Sequence, residues 1–334
     1  MKILATVVAL LFSVAAFAQL GTERARGGEV ASSFSDIDVK KDFYNGYKKV
    51  VKKSKKAGII CGALHFKKIT TSSVLLGKGQ GRQTVKSWAI LEGVSDQTMQ
   101  EIADEFAVMF EKKIQGLGIE TVDWATVTGT NGFAKVQEKQ NDKERTSAGY
   151  GHIVVKTAND GPYNRALNFN TAGLYKKVSK EIGGEVIGYD IIVDFARFDI
   201  DAKRWRSPGY GRGYDFVTTN TSANVLPQIS IDLGAGSNGI TNSVPTNINF
   251  VDANGGASLT TLSKNIYLIE NYATDIDSFE GQMPAAIKKG LQINTKTTGT
   301  FVVKADEAKY KELVLKALDQ YSDLVIQYIS TEIR

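Results

Sequence analysis

The chain has 334 residues, of which 42% are hydrophobic and 23% charged, and its formal net charge is +5. This composition is ordinary for a folded globular protein and excludes a disordered or collagen-like chain. A single cysteine excludes a disulfide framework and a cysteine-based zinc site. Two histidines, far apart in the sequence, leave few residues for metal or triad chemistry. The sequence therefore predicts neither a cofactor nor a metal site.

The amino terminus has the three parts of a secretory signal peptide. Lys2 is a short positive region, residues 3–14 are an apolar run, and residues 16–18 (Ala-Phe-Ala) form a cleavage site. The run is shorter than the roughly 20 apolar residues that span a membrane. We expect cleavage after residue 18 and an exported protein, either periplasmic or secreted, with outer-membrane association as a further option. No cysteine directly follows the cleavage site, so a lipid anchor is not predicted.

Residues 19–36 are small and polar, which predicts a flexible leader before one domain over residues 37–334. Eight lysines then fall within residues 40–56. Four apolar residues are spaced for one face of a helix through this cluster, and they are Phe43, Tyr47, Val50 and Val51.

This lysine-rich helix has two interpretations, an ordinary solvated face or a patch that meets an anionic lipid, polysaccharide or nucleic acid. Nucleic acid is the weakest of these partners, because the cluster contains no arginine for reading base edges. The candidate binding residues on this helix are Lys48, Lys49, Lys52 and Lys53.

Further along the chain, apolar runs predict three strands, over residues 59–66, 69–76 and 85–91. The glycine-rich residues 77–81 predict the hairpin turn between the last two. Residues 96–114 repeat apolar side chains every three or four positions, which predicts an amphipathic helix. Residues 171–182 predict a second helix that ends at a glycine pair.

Residues 185–200 predict one long strand, followed by an irregular polar insertion over residues 201–224. Long loops of this kind are often functional, and the alternative is an exposed insertion without a ligand. Its basic and aromatic side chains are of the types that stack on sugars, bases or partner proteins. The candidate binding residues in this insertion are Arg204, Trp205, Arg206, Tyr210, Arg212 and Tyr214.

Strand alternation returns in residues 225–233, 248–251 and 259–269, with a turn at residues 252–256 (Asp-Ala-Asn-Gly-Gly). The chain ends in a helix whose apolar residues step by four and three from Tyr310 to Tyr328. Its stripe is wider than a coiled-coil seam, which favours packing on the protein's own sheet. The fold class predicted is α+β, with a mixed or largely antiparallel sheet flanked by helices and a long carboxy-terminal helix.

The order of elements over about residues 95–275 resembles two groups of bacterial envelope proteins. The pattern consists of a helix that ends in a glycine pair, a strand at residues 186–195 (VIGYDIIVDF), and a strand pair at residues 229–233 and 249–256. It is similar to proteins related to the curli-secretion channel subunit CsgG and to the amino-terminal α/β domain of TolB. The resemblance implies an envelope-associated α/β scaffold and brings no catalytic residues with it. The chain departs from the channel family in lacking a lipid-bearing cysteine.

We therefore expect a non-enzymatic envelope accessory or assembly protein that acts by binding an envelope protein, an anionic lipid or a polysaccharide. One alternative is a self-assembling ring or pore subunit of a secretion-type channel. Another is a hydrolase that uses Asp190 and Asp194, which are spaced to share one strand face. No catalytic motif accompanies these carboxylates.

Overall fold

The computed structural model describes residues 32–46, 48–76, 83–139, 153–163, 169–206, 217–233, 246–279 and 295–333. The predicted signal peptide, most of the predicted leader, the predicted turn at 77–81 and Tyr47, Tyr210, Arg212 and Tyr214 lie outside these residues. Within them, no helix combines the length and the apolar character needed to cross a membrane.

The helices of the described residues are α1 (Val39–Asp42), α2 (Lys48–Lys53), α3 (Asp96–Gly116), α4 (Trp124–Thr128), α5 (Asn131–Glu138), α6 (Phe169–Ile182) and α7 (Glu307–Tyr328). The strands are β1 (Ser32–Ser33), β2 (Phe43–Asn45), β3 (Lys56–Lys67), β4 (Ile69–Leu76), β5 (Gln83–Glu92), β6 (Glu120–Val122), β7 (Ile153–Thr157), β8 (Glu185–Asp194), β9 (Arg197–Arg206), β10 (Val217–Leu226), β11 (Ser230–Asp232), β12 (Asn247–Val251), β13 (Ala257–Leu262), β14 (Ile266–Tyr267), β15 (Ala273–Ser278) and β16 (Thr295–Ala305). A π-helical turn, Ile329–Ile333, follows α7.

The main sheet is built around the parallel pair β3 and β8. On its other side, β8 pairs antiparallel with β12 along one half and with β11 along the other. β13 and β2 extend the sheet beyond β12, and β14 and β1 extend it beyond β11. The outer edge of β3 pairs with β6 in parallel and with β7 antiparallel. The sheet is mixed, as the sequence predicts.

The second layer of strands is a four-stranded sheet in the order β15-β16-β5-β4, in which only β16 and β5 are parallel. β9 and β10 form a separate hairpin of ten residue pairs, from Arg197↔Leu226 to Arg206↔Val217. This hairpin packs against β4, β5 and β16. The chain passes from the main sheet into this layer three times, from β3 to β4, from β8 to β9 and from β14 to β15.

The core lies on both faces of the main sheet. On one face α3 and α7 pack together, and the rings of Phe106 and Phe110 meet Tyr189 of β8 edge-on at 5.2 and 5.5 Å. On the other face α5 and α6 cover a smaller cluster around Val186. Each large apolar side chain that is fully buried stabilises the fold by about 1.5–3 kcal/mol. The cap residue Ser95 accepts a hydrogen bond from the Thr98 amide at the start of α3.

The predicted helices at 96–114, 171–182 and the carboxy terminus are confirmed as α3, α6 and α7. Four predictions are wrong. The predicted strand over 225–233 breaks between Leu226 and Ser230, and the predicted strand over 259–269 breaks between Leu262 and Ile266. The single lysine-rich helix is interrupted by the strand β2, because Phe43 and Asn45 turn inward while Tyr44 between them faces outward, and β2 pairs with β13. The predicted strand over 185–200 breaks after Asp194, and the predicted irregular insertion over 201–224 is largely strand, in β9 and β10.

Candidate functional site

The lysine face is carried by α2, a helix of six residues at the edge of the main sheet. Val50 and Val51 point into the core and are 3% and 0% exposed. Val50 packs against the β12–β13 turn so closely that a Cβ at Gly256 would lie 3.2 Å from its methyl group. Asp252 holds this turn by accepting hydrogen bonds from the amides of Asn254 and Gly256, each at 2.8 Å. The helix is therefore fixed on a rigid base.

The four predicted binding residues Lys48, Lys49, Lys52 and Lys53 are all exposed on α2. Lys48 Nζ donates a hydrogen bond to the Glu332 carbonyl oxygen at 3.3 Å and lies 5.8 Å from the centre of the Tyr328 ring. The other three form no ion pair with any residue that the structure describes. Because the two valines occupy the buried face of α2, the side chains of these three lysines lie in solvent.

Two further side chains extend this surface. Tyr44 of β2 is 62% exposed, which is unusual for a tyrosine and gives the face an aromatic member. Lys176 of α6 reaches the β12–β13 turn, where its Cδ would lie 3.3 Å from a Cβ at Gly255. Sequence analysis missed both residues, because neither belongs to the lysine cluster along the chain.

The second predicted binding set lies elsewhere in the fold. Arg204, Trp205 and Arg206 end β9, where they pair with residues 217–219 of β10. Their side chains, and all of Tyr210, Arg212 and Tyr214, lie outside the described part of the structure. The hairpin packs on β4, β5 and β16, whereas α2 packs on β12, β13 and the carboxy-terminal turn. The two sets therefore belong to different regions of the molecule.

The two carboxylates considered for hydrolysis are buried in separate polar contacts. Asp190 Oδ1 lies 2.9 Å from His65 Nε2, and the ring of Tyr163 meets this imidazole edge-on. Asp194 Oδ2 accepts hydrogen bonds from Lys67 Nζ at 2.6 Å and from Thr70 Oγ1 at 2.8 Å. Asp190 and Asp194 are 1% and 6% exposed.

Lys67 Nζ also donates a hydrogen bond to Asp232. Burial alone disfavours the ammonium, but the adjacent charges of Asp194 and Asp232 outweigh that effect and raise the pKa of Lys67. Burial, and after it the same two carboxylates, raises the pKa of Tyr267 to about 12. Lys67 and Asp232 lie far from Asp194 in the sequence, so only strand pairing could have placed them beside it. This cluster is an internal ion network.

Among the residues that the structure describes, no group of three or more histidine, cysteine, aspartate or glutamate side chains could hold a metal ion. The Cys61 side chain lies outside that part of the structure.

Comparison with known proteins identifies no family. No protein-family model matches the chain, and no curated protein matches it significantly in sequence. What the protein does must be inferred from its own residues.

Proposed function

We propose that this chain is an exported envelope protein that acts by binding an anionic membrane surface through its lysine face. The observation that carries the proposal is the set of four exposed lysines on a helix fixed by two buried valines. A lysine close to an anionic bilayer contributes about 1 kcal/mol to binding, and the effect falls off within a Debye length. A rigid helix presents several such charges at once, without further ordering of the chain on binding.

Tyr44 favours a lipid surface over a polysaccharide or an acidic protein. Tyrosine is enriched at membrane–water interfaces, where its ring enters the headgroup region and its hydroxyl stays in water. Tyr44 is exposed and, like Lys48, lies near Tyr328, so charge and aromatic contact can act on the same surface. If the partner is instead a polysaccharide or a protein, the chain will not bind anionic vesicles.

The test is sedimentation of the protein with vesicles of phosphatidylglycerol mixed into phosphatidylcholine, and with phosphatidylcholine alone. We expect binding to the anionic vesicles that weakens as sodium chloride is raised, and none to the neutral vesicles. The variant Lys49→Glu, Lys52→Glu, Lys53→Glu should lose this binding. A control of equal charge change, Lys112→Glu, Lys135→Glu, Lys139→Glu, should keep most of it, because these exposed lysines lie on α3 and at α5. Equal loss in both variants, or binding to neutral vesicles, would refute the proposal.

A ring or pore subunit is the second candidate function, and the β9–β10 hairpin favours it. The hairpin pairs over ten residues on each strand, and no described strand pairs with either of its outer edges. Open edges of this length are templates for pairing with another chain. Light scattering over a wide concentration range tests it, because a stable ring-sized species is expected only if copies assemble.

The hydrolase alternative has weaker support. A catalytic carboxylate pair must face its substrate, whereas Asp190 and Asp194 are each engaged by a buried side chain of the protein itself.

A further inference from the structure

An open groove of about 640 Å³ runs along the outer surface where α3 packs beside α7. Its apolar floor consists of Val108 and Met109 of α3 and Leu315 of α7. Val108 is 55% exposed, although its neighbour Ala107 is buried. The groove lies on the side of α3 turned away from the main sheet, and it offers apolar contact to a partner in solution.

The groove carries opposite charges at its two ends along α3. Glu105 and Lys112 both line it, and both are exposed. A helix has about 3.6 residues per turn, so positions 105 and 112 lie two turns apart on one stripe. Val108 and Met109 lie between them. Along the chain, the stripe therefore consists of an acid, an apolar centre and a base.

Neither charge of this stripe is fully neutralised within the chain. Lys311 of α7 lies 2.7 Å from Glu101 and 2.8 Å from Glu105, so one ammonium faces two carboxylates. Lys112 forms no ion pair with any residue in the described ranges. The next residue, Lys113, is instead held by two aspartates of α7. The exposed acid and the exposed base of the stripe thus remain available for ion pairs with a partner.

The stripe is complementary to its own reverse. A two-fold axis places the same surface of two copies against each other, so two identical helices on that surface pack antiparallel. Glu105 and Lys112 are equally distant from a point between Val108 and Met109. With the axis at that point, Glu105 of each copy faces Lys112 of the other, and the apolar centres meet. The order of charges therefore favours a second copy of this chain as the partner.

Two other acids of this part of α3 are directed elsewhere. The Asp104 carboxylate accepts a hydrogen bond from the Asn159 amide at 2.8 Å. Glu111 lines a separate small cleft beside Trp124. Neither is among the described residues that line the groove. Repulsion between these acids of two copies is therefore a minor cost beside the two ion pairs.

We propose that two copies of this chain associate through α3 about a two-fold axis. Val108 and Met109 lie at the centre of the interface, and an ion pair between Glu105 and Lys112 forms on either side of it. One helix pair buries less than the roughly 800 Å² per partner of a standard interface, so we expect a dissociation constant of about 10–100 µM. The interface uses other elements than the lysine face and the β9–β10 hairpin, and the inference does not rest on the proposed function.

The test is sedimentation velocity of the purified protein without lipid, from about 1 µM to 1 mM, because association follows mass action. The fraction of dimer should rise with concentration. Glu105→Lys and Lys112→Glu should each weaken association about tenfold or more, because each places like charges against each other twice. An equimolar mixture of these two variants should restore association, since each variant supplies the charge that the other lacks.

The matched controls are Glu138→Lys and Lys135→Glu. Both residues are exposed on α5, so these variants make the same changes of charge away from the groove. Each should associate like the wild-type protein, and their mixture should associate no more strongly than either alone.

Four results would contradict the proposal. The protein has no such interface if it stays monomeric at about 1 mM while its thermal melt shows that it is folded. Association that neither reversal at Glu105 or Lys112 changes would place the contact on another surface. A mixture of the two reversals with no more dimer than its components would exclude charge pairing across a two-fold axis. Equal weakening by the α5 variants would reduce the effect to net charge.

Discussion

The Lys67 ammonium lies 2.6 Å from the Asp194 carboxylate, and this contact joins the ends of the two central parallel strands, β3 and β8. Both strands leave the main sheet within three residues of the pair, β3 for β4 and β8 for β9. Thr70, just inside β4, donates to the same carboxylate at 2.8 Å. The ion network of Lys67, Asp194 and Asp232 therefore fixes the point at which the chain leaves the main sheet for the second layer of strands.

Replacing Lys67 with methionine should destabilise the fold by about 3 kcal/mol, because Asp194 and Asp232 would remain largely buried without their cation. The free energy of unfolding from urea titration measures this loss. Lys55→Met is the control, since Lys55 is exposed just before β3. Equal stability of the two variants would show that the network contributes nothing to the junction.

Glu307 should make stability depend on acid pH. Hydrogen bonds from the Thr98 hydroxyl and from Ser95 hold the pKa of Glu307 at about 2, below the ordinary 4.5. A pKa that is lower in the folded state adds stability above pH 4.5, and this contribution is lost as pH falls towards 2. Glu307→Gln should therefore flatten the loss of stability between pH 4.5 and 2.

Thermal melts at closely spaced pH steps measure this effect, with Glu138→Gln as the matched variant because Glu138 is exposed and outside this contact. The interpretation fails if both variants keep the wild-type slope. Glu307 begins α7 and its partners begin α3, so the same contact ties the starts of the two packed helices.

Tyr44→Ala should weaken binding to anionic vesicles while leaving its salt dependence unchanged. The ring contributes apolar contact, which salt does not screen, whereas the lysines contribute the charge-dependent part. Sedimentation with phosphatidylglycerol vesicles at several sodium chloride concentrations gives a plot of log affinity against log salt concentration. The slope of that plot reports the lysine charges, and the ring of Tyr44 changes its intercept alone. Tyr44→Phe is the control and should retain most of the affinity, because it keeps the aromatic ring. A changed slope in Tyr44→Ala would mean that the substitution disturbs α2 itself.

The long elements of the fold were predictable because their patterns are local. Apolar spacing along α3 and α7 identifies each helix and the face that it buries, as the burial of Phe106 and Tyr321 confirms. The β12–β13 turn was predictable from its own residues, since the Asp252 carboxylate closes it with local hydrogen bonds.

The errors came from tertiary pairing that no local pattern contains. The residues around Phe43 have the spacing of a helix, but the pairing of Asn45 with Thr260 places this segment in the sheet. There the side-chain amide of Asn45 donates hydrogen bonds to the hydroxyl groups of Ser258 and Thr260. The lysines of the candidate site were predictable as a charge cluster. Tyr44 and Lys176 were not, because they join that surface from other elements.

Gly62→Ala should destabilise the fold by about 1–3 kcal/mol, because the added methyl group would overlap atoms of the buried Tyr189 ring and hydroxyl. Tyr189 cannot yield easily, since Phe106 and Phe110 pack against its other sides. Gly116→Ala is the matched control. It ends α3, has a φ outside the left-handed region and would place its methyl group with no atom within 4 Å.

The control should therefore be neutral or slightly stabilising, by up to about 1 kcal/mol, because alanine restricts the unfolded chain more than glycine does. Urea titration of both variants measures the difference. Equal stability would mean that β3 and β8 separate enough to admit a methyl group. The close contact between the two central strands would then not require glycine at residue 62.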